Sequence, residues 1–156
     1  MPTHLITTWR IVWANYAVTA FTGEGSKRAS GRWHSRGTSL VYTAESKALA
    51  ILELMAHLES DDFLKHYRLI PASFDESMVK VLEPHDLPTN WKEYPAPVST
   101  KKVGDLWIRS SESAVLNVPS VIVQGESNFL INPSHADFRK VRIGAPEPFR
   151  FDRRLK

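Results

Sequence analysis

Apolar positions along the chain fall into short runs with a period of two, separated by turn formers, plus one run too densely apolar for a strand. Leu5-Ile6-Thr7-Thr8-Trp9-Arg10-Ile11-Val12 alternates imperfectly, which predicts a strand, or a strand leading into a turn, within residues 5–18. Arg10 lies among large apolar neighbours there; either its stem covers the edge of the core with the head in water, or the guanidinium serves a site. From Ala20 to Thr38 periodicity is lost and Gly23, Gly25, Gly31 and Gly37 punctuate the chain, predicting an ordered loop system with strand pieces at 31–34 and 39–43. Ser46 to Glu59 is the strongest helix, with Thr43 or Ser46 as its cap. Its apolar residues cover most of the circumference, leaving a polar stripe of Ser46, Glu53 and His57. A carboxylate in such a setting either faces a cleft or is paired, because an unpaired buried charge is costly.

In the second half, Tyr67 to Phe74 reads as a strand whose Pro71 suits an edge or a bulge. Met78 to Leu82 is a further short piece, followed by a proline-rich loop in which Trp91 acts as a packing plug. Ser99 to Ser110 predicts a helix around Val103, Leu106, Trp107 and Ile108, despite Gly104. Residues 114–118 and 121–123 look strand-like on either side of Pro119-Ser120, and 125–133 is a loop leading to a short strand. Residues 140–143 and 149–152 alternate like strands with one wet face. With no repeat, low-complexity segment or linker, one domain spanning 1–156 is expected.

Composition narrows the chemistry. A chain of 156 residues with 42% hydrophobic content is large enough for a real core. Twenty basic against 17 acidic residues give a net charge of +3. That bias assists an anionic ligand but is far from the basic stripe of a dedicated nucleic-acid binder. No cysteine is present, which excludes disulfides, cysteine nucleophiles and thiolate metal sites. The N-terminus carries no basic leader with an apolar core, and no window is apolar enough for a membrane span; a cytoplasmic location is expected.

The histidines lack metal-binding spacing, so no metal is expected. Ser120 has no nucleophile-elbow glycines around it, which argues against a serine hydrolase. Walker and dinucleotide-fold glycine patterns are absent too. What remains is arginines in a glycine-punctuated loop, Tyr42 at a strand end and Glu53 on the next helix. Arginine forks hold phosphates, a tyrosine offers a stacking face, and a carboxylate binds ribose hydroxyls or stabilises positive charge at the anomeric carbon. Cleavage of the nicotinamide-ribose bond of NAD suits this set, since nicotinamide leaves as a neutral base and needs little acid catalysis.

Several blocks carry a family resemblance: Trp9-Arg10-Ile11, Arg28-Ala29-Ser30-Gly31-Arg32-Trp33-His34 with Gly37, and Val41-Tyr42-Thr43-Ala44-Glu45. They continue in Ala48-Leu49-Ala50, Leu52-Glu53 with His57, Gly104-Asp105-Leu106-Trp107, Val118-Pro119-Ser120 and Glu126 to His135. In this order they resemble the RES domain, named for its arginine, glutamate and serine and found in bacterial toxins paired with an Xre-type antitoxin. The resemblance implies an α+β fold similar to ADP-ribosyltransferase toxins, with central mostly antiparallel sheets flanked by helices around an NAD cleft. It implies a toxin that degrades NAD by hydrolysis or phosphorolysis; the alternatives are a protein ADP-ribosyltransferase or a non-catalytic nucleotide-binding or interaction module. Carried over, Arg32, Glu53 and Ser120 are the catalytic set, and Arg10, Arg28, Arg32, Tyr42 and Asn128 the NAD-binding set. Arg32 and Arg28 are assigned the phosphates or the nicotinamide-side ribose, Tyr42 the nicotinamide ring, and Glu53 the ribose. Ser120 orients Glu53 or the nicotinamide end. His34 stands where many members have asparagine, so no role is carried over to it. The implied partner is a helix-turn-helix antitoxin of Xre type that covers the cleft, with no direct nucleic-acid binding by this chain and room for a homo-oligomer.

Overall fold

In chain order the elements are β1 (Leu5–Trp13), α1 (Glu24–Arg28), β2 (Val41–Ala44), α2 (Lys47–Met55), β3 (Tyr67–Asp75) and β4 (Val79–Val81). They continue with α3 (Val98–Ser110), β5 (Val115–Pro119), β6 (Ser127–Ile131), β7 (Arg142–Ile143) and β8 (Glu147–Phe149), in a computed structural model that describes residues 4–155. The strands join in the order β4-β5-β6-β2-β1-β3-β7, with β8 also on β3. Every pairing is antiparallel except β4 with β5. The architecture is α+β, as expected.

Alternation sets the two faces of the central strands. Val41, Ile131 and Val115 lie opposite one another across β2, β6 and β5, and so do Tyr42, Leu130 and Leu116 on the next row. The first row packs with Ile70, Phe74 and Phe129. Leu116, Val118 and Leu130 pack instead with Trp33, Leu40 and Trp107 of the α3 side. Trp91 leans on this second cluster, in the plugging role anticipated for it. α3 buries Thr100, Gly104 and Trp107, an i, i+4, i+7 stripe. Gly104 is required there, because a Cβ would stand 1.6 Å from the Trp33 carbonyl oxygen. α2 packs Leu49 and Ala50 on Ala44 and Leu69. Ser46 caps this helix by accepting from Leu49 N at 3.1 Å; Thr43 is instead buried in β2, donating to Phe129 O.

Pro71 lies inside β3, which pairs with β1 along its whole length. Its outer edge is shared by β8 at Tyr67–Leu69 and β7 at Ala72–Ser73, and Pro71 falls between the two. There its carbonyl accepts from Gly144 N, so no ladder bond asks for the missing N–H.

Several boundaries differ from expectation. The strand within 5–18 ends at Trp13, and residues 24–28 form the short α1 inside the expected loop. Residues 31–34 are one isolated bridge, Gly31 with His34, and the strand expected from 39 begins at Val41. The long helix stops at Met55 rather than Glu59, because His57 N and Leu58 N bond three residues back and tighten the last turn. Residues 121–123 are not a strand; the N–H groups of Ile122 and Val123 turn back onto the Ser120 hydroxyl. At the C-terminal end the strands are Arg142–Ile143 and Glu147–Phe149, so 150–152 lies outside them. Among the described residues no helix is long and apolar enough to cross a membrane.

Candidate active site

β1 and β2 share a single register pair, Trp9 opposite Ala44. Beside this short seam Arg10 Nη1 donates to Tyr42 O at 3.0 Å, a side-chain bond across the two strands. Here a cleft of about 930 Å³ opens, lined by Arg10, Arg32, Tyr42, Glu53, His57, Lys101 and Asn128 among apolar residues that include Trp9, Ile11 and Ile122. β1, the arginine loop, β2 and α2 from the first half of the chain meet α3 and β6 from the second there.

α2 brings Glu53. Ser120, at the end of β5, donates its hydroxyl to Glu53 Oε1 at 2.7 Å. Ser120 Oγ in turn accepts from Ile122 N at 3.1 Å and Val123 N at 3.0 Å, while Ser120 N donates to Glu126 O at 2.8 Å. With its hydroxyl donated and two N–H groups accepted, the 2% exposed Ser120 holds a carboxylate in place, and no histidine stands among its hydrogen-bond partners among the described residues.

β2 brings Tyr42. Its hydroxyl accepts from Trp33 N at 3.1 Å and lies 2.7 Å from His34 Nδ1. His34 Nε2 is 2.9 Å from Ser26 O and 2.8 Å from Ala29 O, two acceptors that require the proton on Nε2. In the neutral imidazole Nδ1 is then the acceptor, and the Tyr42 O–H donates to it. Burial raises the Tyr42 pKa well above the ordinary phenol range, so the hydroxyl stays neutral. Gly31 makes this packing possible, since a Cβ would come 2.7 Å from the Tyr42 hydroxyl oxygen and 2.9 Å from the His34 ring. His34 is thus a structural partner of the cleft tyrosine. Its signal in the sequence is its place between Trp33 and the glycine-punctuated turn; its partners Ser26, Ala29 and Tyr42 are near in the chain, but the loop that joins them has no period from which the contacts could be read.

The arginines divide. Arg32 Nη1 donates to Trp91 O at 2.8 Å and Glu93 O at 2.9 Å, tying the proline-rich loop to the cleft and leaving Nη2 and Nε to other partners. Burial lowers its pKa, while nearby Glu53 and Tyr42 act in the opposite direction. Arg10 is the more desolvated: burial pushes its pKa down to about 10, and its buried Nε has no hydrogen-bond partner among the described residues. Arg28 ends α1, exposed, outside the lining of the cleft. Asn128 on β6 reaches Thr43 O from Nδ2 at 3.4 Å. Of the residues singled out from sequence, Arg10, Arg32, Tyr42, Glu53 and Asn128 line one cleft, Ser120 stands directly behind Glu53, and Arg28 stays apart.

Two further groups support the site. Asp105 on α3 accepts from Ser35 N at 2.9 Å and Thr38 Oγ1 at 2.8 Å, pinning the arginine loop to that helix. Lys101, from the first turn of α3, reaches Ser30 and Gly31 at the cleft edge. Among the described residues no group of three or more His, Asp or Glu is placed to hold a metal ion.

A profile described as the RES domain matches residues 7–152. "Toxin Res" of Yersinia enterocolitica serotype O:8 / biotype 1B is 38% identical over 95% of this chain and 98% of its own length. "Prs ADP-ribosylating toxin" of Sphingobium sp. strain YBL2 is 34% identical over 94% of each chain. In fold, the chain is similar to one in the crystal structure of the M. tuberculosis MbcT-MbcA toxin-antitoxin complex, with a TM-score of 0.75 at 15% identity over 95% of this chain and 86% of that one. The chain belongs to the RES domain family, in agreement with its motifs.

Proposed function

We propose that this chain is the toxin of a bacterial toxin-antitoxin pair and that it cleaves the nicotinamide-ribose bond of NAD in the cytoplasm. The observation that carries this reading is the Ser120-anchored Glu53 carboxylate in a cleft that also holds Arg10, Arg32 and Tyr42. Family membership and the names of the Yersinia and Sphingobium relatives support it. The donor set fits the substrate. Arg10 has an unmet buried donor beside the cleft, and Arg32 keeps free donors for a pyrophosphate.

In the reaction the bond from the ribose anomeric carbon to the nicotinamide nitrogen breaks, and its electron pair leaves with the ring. Glu53 binds the ribose hydroxyls and stabilises the positive charge that develops on the sugar. The Tyr42 ring orients the nicotinamide, and Arg10, Arg32 and Asn128 hold the remainder of the dinucleotide. An oxygen of water then bonds to the anomeric carbon and its proton passes to solvent, or an unprotonated oxygen of phosphate bonds there directly. Ser120 is a positioning residue, acting through Glu53.

A second reading, transfer of ADP-ribose to a protein side chain, is favoured by the name of the 34% identical Sphingobium relative. Incubating the purified chain with NAD, with and without phosphate, distinguishes the outcomes. Free ADP-ribose or its phosphorylated form supports degradation, label retained on a protein supports transfer, and saturable NAD binding with no product means a non-catalytic module. The partner in this proposal is an antitoxin of Xre helix-turn-helix type, entering the arginine-lined cleft with a carboxylate-bearing segment. The fold likeness to a toxin from a toxin-antitoxin complex supports it.

A further inference from the structure

Lys101 is the one charged group in the cleft to which the foregoing assigns no chemistry. Its Nζ donates to Ser30 Oγ at 3.0 Å and Gly31 O at 2.9 Å, both neutral oxygens. Lys27, Lys47, Lys65, Lys80 and Lys140 each sit against a carboxylate instead. An ammonium has three donors, so one remains uncommitted on Lys101, and among the described residues no carboxylate pairs with it. The cleft as a whole sets three cations, Arg10, Arg32 and Lys101, against the single carboxylate of Glu53. Position in the helix makes Lys101 more telling. It lies in the first turn of α3, where no acidic residue stands and where a cation opposes the helix dipole. A residue that works against its own helix in this way points to a use elsewhere.

We propose that Lys101 binds a phosphate oxyanion at the edge of the cleft formed by Ser30 and Gly31, a place that Arg28, outside the cleft, does not fill. The inference rests on the reading of NAD as substrate. Its ligand chemistry has two sources, the pyrophosphate of the dinucleotide or inorganic phosphate arriving as the attacking group. Either way the third N–H of Lys101 is donated to a phosphate oxygen, and the bonds to Ser30 and Gly31 aim it.

The test compares the wild-type chain with Lys101→Gln, which keeps a donor for Ser30 or Gly31 and loses the charge, and with Lys101→Arg. ADP-ribose affinity is measured by calorimetry in phosphate-free buffer, and NAD turnover with and without inorganic phosphate. For the dinucleotide source, Lys101→Gln weakens ADP-ribose binding and raises the KM for NAD by about tenfold or more, with kcat within about threefold. Lys101→Arg restores both, and the unfolding midpoints of the two variants agree. If ADP-ribose affinity is kept in Lys101→Gln while stimulation by inorganic phosphate is lost, the phosphate bound is the attacking one. Unchanged affinity together with unchanged phosphate dependence overturns the proposal, as does equal loss of affinity in both variants, which marks Lys101 as a strut for the loop. A wild-type chain that binds ADP-ribose and consumes NAD while giving either of these results removes only the role of Lys101. A wild-type chain with neither property removes the NAD reading, and this inference with it.

Discussion

The Ser120 hydroxyl meets Glu53, Ile122 and Val123 at once, and that economy decides what its loss does. Ser120→Ala leaves two N–H groups without their acceptor and lets the carboxylate move. Denaturant unfolding is expected to show a loss of about 1–3 kcal/mol, and steady-state kinetics a fall in kcat of about 100-fold from misplacement of Glu53. Glu53→Gln keeps shape and one acceptor oxygen but removes the charge. It is expected to fold normally and retain NAD affinity, while turnover drops by orders of magnitude. Full turnover in a folded Glu53→Gln protein would sink the mechanism. Among single residues, Glu53 and Ser120 were both legible as types at motif positions. Their 2.7 Å contact joins positions 67 residues apart, which no local pattern reports.

At the scale of elements, α3 carries more of the site than its sequence suggests. It packs Gly104 on the Trp33 carbonyl, supplies Asp105 to the arginine loop and presents Lys101 to the cleft. Gly104→Ala would push the helix away from the segment that holds Arg32 and His34. Although alanine favours a helix by up to about 1 kcal/mol over glycine, the 1.6 Å approach to backbone oxygen outweighs it. The expected result is net destabilisation of about 1–3 kcal/mol, read from the unfolding midpoint. A more stable Gly104→Ala protein would contradict this packing. The helix was read nearly to its ends because Val103, Trp107 and Ile108 keep helical spacing. The strand expected at 121–123 failed because β-branched residues suit a strand only where a neighbour offers a ladder, and here the N–H groups of Ile122 and Val123 go to Ser120.

For the molecule as a whole, the arginine loop is held to α3 partly by a charge, and this makes stability depend on pH. Burial alone raises the Asp105 pKa, but the bonds from Ser35 and Thr38 and the nearby His34 more than offset it. The folded value lies below the ordinary 3.8 of an aspartate. The unfolded chain therefore takes up this proton first as pH falls. The stabilisation from Asp105 is complete above about 3.8 and disappears as pH falls through the lower folded value. Urea midpoints from pH 2 to 6 should show a gap between wild type and Asp105→Asn that is constant at the upper end and closes towards the lower. A gap independent of pH would show that the carboxylate charge contributes nothing.

Taken alone, the sequence determined the α+β class, the main strands, the two longer helices and the residue types of the site. Alternation, helical spacing and motif order are local properties that hydrophobic burial enforces wherever the chain folds. Tertiary structure decided how these parts meet. It set Glu53 against Ser120, bound Tyr42 to His34, and tied Arg32 to the carbonyls of Trp91 and Glu93. It also left Arg28 outside the cleft and brought Lys101 to its edge. Such contacts depend on strand order and on where a side chain's hydrogen bonds can be satisfied, and those are properties of the packed molecule rather than of any stretch of the chain.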